Sequence, residues 1–259
     1  MLVGSADLAQ PDPDFAHCSA EETDYLLSVV SEIFPDIKLT RDDVILTYSG
    51  VRSLPRANGK DIGDVSRDYS IGRDKLPGTE VPVLSLIGGK WTTFRAFSEQ
   101  SCDAVLALLQ KARSVSTLDL FIGGGCDYPR DNNSCEAMVG KIGERGNALL
   151  RHGTKALAVQ EYAATTQDHA LTSLPSCSSG EVAYICTHEN VRHLADLLLR
   201  RTAITMEGLL TAHVIPETAM IASHVLGWNK ARTRAEIEHA TAELAKCSVQ
   251  NVRRAASSA

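Results

Sequence analysis

The sequence predicts an α+β protein, with strand-forming segments first and short helices after. Three observations carry the prediction. Val44 to Leu54 alternates as a strand, placing Val44, Leu46, Tyr48, Gly50 and Arg52 on one face, and Val83-Leu84-Ser85-Leu86-Ile87 is a short apolar run ended by glycines. Beyond Gly123-Gly124-Gly125 the pattern changes to short helical stretches joined by turns. With 44% hydrophobic residues in 259, the chain can form one large domain or two small ones around a real core. The expected division is a β-rich portion over 1–87, a glycine turn and helix over 88–112, a helical domain over 113–250, and a frayed tail over 251–259.

Met1 leads directly into the apolar pair Leu2-Val3, as though the chain began inside a sheet, and a polar loop with Pro11 and Pro13 follows. Ser19 with Glu22 fits a capping box, and Tyr25, Leu26, Val29, Val30 and Ile33 recur at helical spacing until Pro35 stops the element. After the strand at 44–54 comes a Gly/Pro/Asn/Asp loop over 55–64. A strand is expected from Val65 to Ile71, with Arg67 and Tyr69 on one side, then a turn at Pro77-Gly78 and a strand over 81–87. A helix from Lys90 to about Lys111 has Phe94, Phe97, Val105, Leu108 and Leu109 as its buried stripe. Further helices are expected at Glu136–Arg151, Thr154–Ala164, Glu181–Cys186, Glu189–Arg201 and Met206–Val214. Two more follow, one with Pro216 in its first turn running to Leu226, the other over Asn229–Lys246.

The net charge of −6 and the absence of any block of like charges argue against a nucleic-acid-binding surface or a polybasic membrane patch. Seven cysteines, scattered and without a CxxC pair, read as reduced thiols in a cytoplasmic protein without a signal peptide. No run approaches the ~18 to 20 apolar residues a spanning helix needs, so any membrane contact is expected to be peripheral.

Chemistry concentrates at Gly88-Gly89-Lys90-Trp91-Thr92. Two glycines let the backbone approach a ligand, and the unpaired amides of a new helix make its start electropositive. A cation in that first turn works against the dipole, so Lys90 points to an anionic ligand. Arg52 and Arg67 sit in strand segments expected to face the same pocket, and two guanidiniums with one ammonium suit a dianionic phosphate. Gly123-Gly124-Gly125 is read as a linker, because no long apolar strand leads into it and no GK[ST] follows. His188 and His193 are five apart, which puts them roughly 140° apart around a helix, so no metal site is read there. Leu199-Arg200-Arg201-Thr202 reads as structural, its arginines pairing with nearby acids.

The strings Tyr48-Ser49-Gly50-Val51-Arg52-Ser53-Leu54, Ser66-Arg67-Asp68-Tyr69 and Gly88 to Arg95, in this order, resemble the FAD-dependent, quinone-linked glycerol-3-phosphate dehydrogenases. Leu2 to Asp7 resembles a strand that precedes them in that family, and His193 to Thr202 resembles its C-terminal helical domain. Phe94 stands where the family has tyrosine. The resemblance implies that 1–87 is the remnant of an antiparallel substrate-side sheet and that 88–112 faces the flavin. It also implies that Arg52, Arg67 and Lys90 lie around the substrate, with Arg52 stabilising the alkoxide that develops at C2, and that Gly88, Gly89, Lys90, Trp91 and Thr92 face FAD.

The implied reaction oxidises sn-glycerol 3-phosphate to dihydroxyacetone phosphate, with electrons passed through FAD to quinone at the inner face of the plasma membrane. The N-terminal βαβ unit that holds the ADP part of FAD has no counterpart in the sequence, so the chain reads as the C-terminal half of an enzyme that needs the other half as a partner. Another polyol phosphate, such as erythritol phosphate, fits the same basic residues. An inactive fragment or a helical interaction module is the non-enzymatic alternative.

Overall fold

The structure is a computed structural model describing residues 2–9, 12–52, 66, 68–143, 146 and 150–247. The loop expected over 55–64, Arg67 and the tail over 251–259 lie outside the described residues. The α+β class holds, with helices α1 (Ala20–Ile33), α2 (Phe94–Leu108), α3 (Asn132–Ile142), α4 (Ala156–Ala164), α5 (Ser179–His188), α6 (Leu194–Asp196), α7 (Val214–Leu226) and α8 (Lys230–Lys246). Strands β1 (Ser70–Lys75) and β2 (Pro82–Ile87) form a two-stranded antiparallel sheet in which Ser70 faces Ile87 and Lys75 faces Pro82.

The chain divides into two compact units, one of residues 1–3, 17–49 and 121–259, the other of residues 4–16 and 50–120. The first, helical unit holds nearly all the buried side chains. Leu194, Leu197, Leu198, Leu210, Val214, Ala219, Ala222, Ala240 and Leu244 are fully enclosed. They form one cluster with residues of α5, and Leu46 packs against it. A second cluster joins Met138 and Ile142 of α3 to Ala156 and Val159 of α4 and Tyr184 of α5.

Local chemistry sets most helix ends. In α1 the expected capping box is present: the Ser19 hydroxyl accepts from the Glu22 amide at 3.1 Å and the Glu22 carboxylate accepts from the Ser19 amide at 2.9 Å. At α8 the Asn229 side chain alone caps the helix, its Oδ1 accepting from the Arg232 amide at 2.9 Å. The helix expected at Glu136–Arg151 instead starts at Asn132, because the Asp131 carboxylate accepts from the Ser134 amide at 2.9 Å, and it stops at Gly143 with φ 85°.

A single helix over Glu189–Arg201 does not form. Asn190 adopts φ 53°, and the chain resumes as α6 followed by one wide turn over Leu197–Arg201. Nor is Met206–Val214 helical: Gly208 turns at φ 71°, and a Cβ there would meet the Ile45 side chain at 2.7 Å.

The strand expected over 44–54 is absent among the described residues, and residues 2–9 form none either. A strand exists only with a ladder partner. Here the Thr47 amide donates to the Cys247 carbonyl beyond α8 at 2.9 Å rather than to a neighbouring strand. The strand expected at Val65–Ile71 is displaced to Ser70–Lys75, where Leu76-Pro77-Gly78-Thr79, with Gly78 at φ 76° and Thr79 N–H on the Leu76 carbonyl, closes the hairpin. The second unit buries little: among its described residues only Phe97 and Ala104 are enclosed. Val81 and Leu86 are exposed, and a lone two-stranded hairpin is marginal in water.

α5 carries the polar feature that matters most to the helical unit. Glu181, 1% exposed in its first turn, accepts Arg151 Nε and Nη2 at 2.7 Å each and meets His152 Nε2 at 2.8 Å. Burial pushes this carboxyl up, but hydrogen bonds from His152 and Arg151 and their charges outweigh it and hold the group at about 2, against its usual 4.5.

That depression contributes about 3 kcal/mol above pH 4.5, and the contribution disappears as the pH falls from 4.5 through about 2. Glu181→Gln is expected to lower stability by about 3 kcal/mol at pH 7 in urea titration and to flatten the acid limb of the stability curve between pH 4.5 and 2. The difference in burial between the units has its own readout. Limited proteolysis is expected to cut within residues 50–120 before any site in 150–247, and equal resistance of the two stretches would contradict this.

Candidate active site

The segment after β2 is built on two glycines whose geometry the rest of the second unit imposes. Gly88 has φ 73° and Gly89 φ 106°. A Cβ on Gly88 would stand 2.9 Å from the Asp68 carbonyl oxygen, and one on Gly89 would stand 3.3 Å from the buried Phe97 ring. Tyr69, just before β1, stacks on Phe97 with ring centroids 4.5 Å apart, and its hydroxyl accepts from Gln100 Nε2 at 2.9 Å. The glycine turn is thereby fixed against both the hairpin and α2.

α2 begins at Phe94, four residues later than expected. Residues 90–93 form a turn in which Thr93 N–H donates to the Lys90 carbonyl at 3.0 Å, and the Lys90 amide donates to Thr93 Oγ1 at 3.1 Å. The Thr93 hydroxyl is used within this turn, so no side chain caps the amides of α2. Lys90 therefore precedes the helix rather than occupying its first turn, and the dipole argument for its placement falls. What the geometry supplies instead is an exposed ammonium beside an uncapped helix start. Trp91 is 90% exposed and Thr92 is also exposed.

Arg52 meets a carboxylate, its Nη1 lying 3.1 Å from Asp7 Oδ1 and 3.2 Å from Oδ2. No hydrogen bond or ion pair among the described residues links Arg52 to the Gly88–Thr92 turn, and Arg67 lies outside the described residues. A shallow cavity of about 360 Å³ in the same unit is lined by Glu99, Asp103, Arg113 and residues 114–116. Its charges are already matched: Arg113 pairs with Glu99 and, at 2.8 Å, with Asp103.

Three features escaped the sequence reading. Asp7 is 45 residues from Arg52, and no local spacing announces that pair. The glycine triplet at 123–125 is more than a linker: the Thr154 hydroxyl donates to the carbonyls of Gly124 at 3.1 Å and Cys126 at 2.8 Å. A Cβ on Gly124 would fall 2.1 Å from the His152 carbonyl oxygen, so the glycine lets two backbones touch. His193, which cannot share a metal with His188, comes together instead with Glu236 and His239. The signal available was the three-residue spacing of Glu236 and His239, which puts them on one helix face. His188 stacks on Tyr184 at 4.2 Å. Arg200 pairs with Asp196 at 3.2 Å, as expected of a structural arginine.

Fold and turn together define an α+β protein in which a small hairpin and a glycine-turned helix accompany a helical C-terminal unit. Residues 115–233 match the family described as the C-terminal domain of alpha-glycerophosphate oxidase. A glycerol-3-phosphate dehydrogenase of Synechocystis sp. is 34% identical over 219 residues, covering 79% of this chain and 38% of the relative. The aerobic glycerol-3-phosphate dehydrogenase of Escherichia coli K12 is 28% identical, covering 78% of this chain and 41% of the relative.

The solved structure of the Bacillus halodurans glycerol-3-phosphate dehydrogenase, complexed with FAD, matches the fold with a TM-score of 0.72 at 20% identity. That match covers 92% of this chain and 47% of the solved one. The chain thus spans about two fifths of the length of these curated relatives. In sequence and fold it corresponds to the C-terminal half of the glycerol-3-phosphate dehydrogenase family and carries that family's C-terminal domain.

Gly88→Ala is expected to destabilise the second unit by about 1 to 3 kcal/mol, since it adds both a left-handed alanine and a clash with the Asp68 carbonyl. Hydrogen exchange of the β1–β2 amides reads this directly, with faster exchange in the variant and no change in the amides of α5.

Proposed function

We propose that the chain supplies the substrate-side portion and the C-terminal domain of a flavoprotein that oxidises sn-glycerol 3-phosphate to dihydroxyacetone phosphate, passing electrons through FAD to quinone. The observation that carries the reading is the turn at Gly88–Thr93, which sets an exposed ammonium beside a helix start with no side-chain cap. The likeness to glycerol-3-phosphate dehydrogenases over most of the chain supports it.

The residues present fit an anionic cofactor edge. The Lys90 amide is committed to Thr93. Among the described residues the amides of Gly89, Trp91 and Thr92 make no backbone hydrogen bond, which leaves them able to donate. Gly88, Gly89, Lys90, Trp91 and Thr92 are the residues that would hold FAD, and when bound it accepts the hydride that leaves C2.

The chain's own groups do the rest. Lys90 holds the phosphate as a point charge, and Arg67 adds a forked guanidinium to it. Arg52 faces the C2 oxygen and stabilises the negative charge that develops there as the hydride departs. Asp7 neutralises Arg52 in its present position, so the guanidinium must turn from that carboxylate or engage the substrate through its remaining donors.

The test uses the full chain together with a polypeptide carrying the N-terminal part of the Synechocystis relative, which this chain does not match. Glycerol-3-phosphate-dependent reduction of a quinone analogue is the expected activity. Lys90→Ala is expected to raise KM about tenfold or more, the loss of one charge-assisted contact, with a smaller effect on kcat. A flavin-loaded complex that does not turn over glycerol 3-phosphate would overturn the assignment.

A further inference from the structure

A cluster in the helical unit has no part in the reading above. His193 immediately precedes α6, while Glu236 and His239 lie three residues apart on one face of α8. One ligand atom from each of the three lies within 4.8 Å of the other two. We propose that His193, Glu236 and His239 form a binding site for a divalent transition-metal ion of the zinc class, bridging the start of α6 to α8.

The donor set suits such an ion. Two imidazoles and one carboxylate are a common complement for zinc and its first-row neighbours, and hard oxygen-only cations such as magnesium are disfavoured. Metal–ligand distances of about 2.0–2.2 Å in a tetrahedral site require donor atoms roughly 3.3 Å apart, so the cluster has to contract by about 1.5 Å at most. Both histidines have the freedom to do so, being exposed, whereas Glu236 is the fixed point with a side chain 5% exposed.

The Glu236 carboxylate is oriented in the way metal-binding carboxylates are. Its Oε2 accepts the Leu194 amide at 2.9 Å, and its Oε1 lies 3.0 Å from His193 Nδ1. An enclosed carboxylate with one oxygen pinned and the other facing an imidazole is a prepared ligand.

Arg232 is the competing cation. Its Nη2 lies 2.7 Å from Glu236 Oε1 and 3.5 Å from His193 Nδ1, inside the space an ion would take. The arginine is half exposed, and its Cζ stands 5.9 Å from the Trp228 ring centre, so it has both water and an aromatic face to move to. Binding an ion therefore exchanges one cation for another at Glu236 rather than placing a charge in an unprepared spot.

Calorimetric titration of the full chain with zinc chloride, under reducing conditions, tests the site. The wild-type chain is expected to take up one ion through this cluster, His239→Ala to weaken uptake at least tenfold, and Arg232→Ala to tighten it several-fold. The His239 side chain is exposed and makes no hydrogen bond among the described residues, so its removal is expected to leave the far-UV circular dichroism unchanged. Cobalt(II) substitution identifies the donors: a weak visible spectrum without a thiolate charge-transfer band is expected. The proposal is overturned by no uptake, by equal affinity in His239→Ala, by no gain in Arg232→Ala, or by a thiolate band placing the ion on cysteines.

Discussion

The enclosure of α5 is the constraint on which the helical unit depends. Every residue from Ser179 to Cys186 is buried, so this helix has no solvent face on which to leave a polar group. α4 and α7 pack against it, and residues 150–155 sit at its N-terminal end through Arg151 and His152. A carboxylate in its first turn gains from the helix dipole but loses far more by leaving water, unless hydrogen-bonding partners follow it inside. Arg151 and His152 do follow it. The glycine at 124 then takes on a structural meaning, because the backbone of 152–153 approaches the backbone of 124 too closely for any side chain. One buried charge thus explains an arginine, a histidine and a glycine far from it in sequence.

The second unit is organised by a different principle. Its two strands satisfy each other's backbone groups, but among the described residues each has an open edge, and Tyr69 at the start of the hairpin stacks on Phe97 of α2. Charged pairs then tie the chain beyond α2 back to the helix: Arg113 reaches Glu99 and Asp103, while Ser116 donates to Glu99 at 3.0 Å. Such exposed and half-exposed pairs contribute little each. Among the described residues, order in this unit rests on backbone geometry and one aromatic stack, whereas in the helical unit it rests on two apolar clusters.

How far the sequence could be read follows from the range of the forces involved. Capping is a matter of three residues, so α1 and α8 were legible from Ser19 and Asn229. The same rule, applied to Asp131, places the start of α3. The turn at Pro77-Gly78 was legible because proline and a left-handed glycine specify it locally. The strand at 44–54 was not, because alternation states only that a segment can pair, and Thr47 found its partner 200 residues away. Of the candidate site, the glycine turn was visible but the helix start was misplaced by one turn, since nothing in the string reveals that Thr93 turns its hydroxyl back to Lys90. The partner of Arg52 was invisible for the same reason as the partner of Thr47.

These ranges also change what the glycines at 88 and 89 signify. Glycine in a strand-to-helix turn invites the inference that a ligand comes close to the backbone. Here the crowding comes from the chain itself, with the Asp68 carbonyl beside one glycine and the Phe97 ring beside the other. Any protein with this hairpin on this helix would need glycine at both places, ligand or no ligand. The glycines therefore argue for the architecture of the turn, and the case for an anion rests on what the architecture leaves exposed. That remainder is small and specific: an ammonium that precedes the helix, amides with no carbonyl partner among the described residues, and a threonine whose hydroxyl is used up in shaping the turn instead of capping it. A threonine released from the turn would cap α2 and compete with an anion, so the hydrogen bond between the Lys90 amide and Thr93 Oγ1 is what keeps the helix start open.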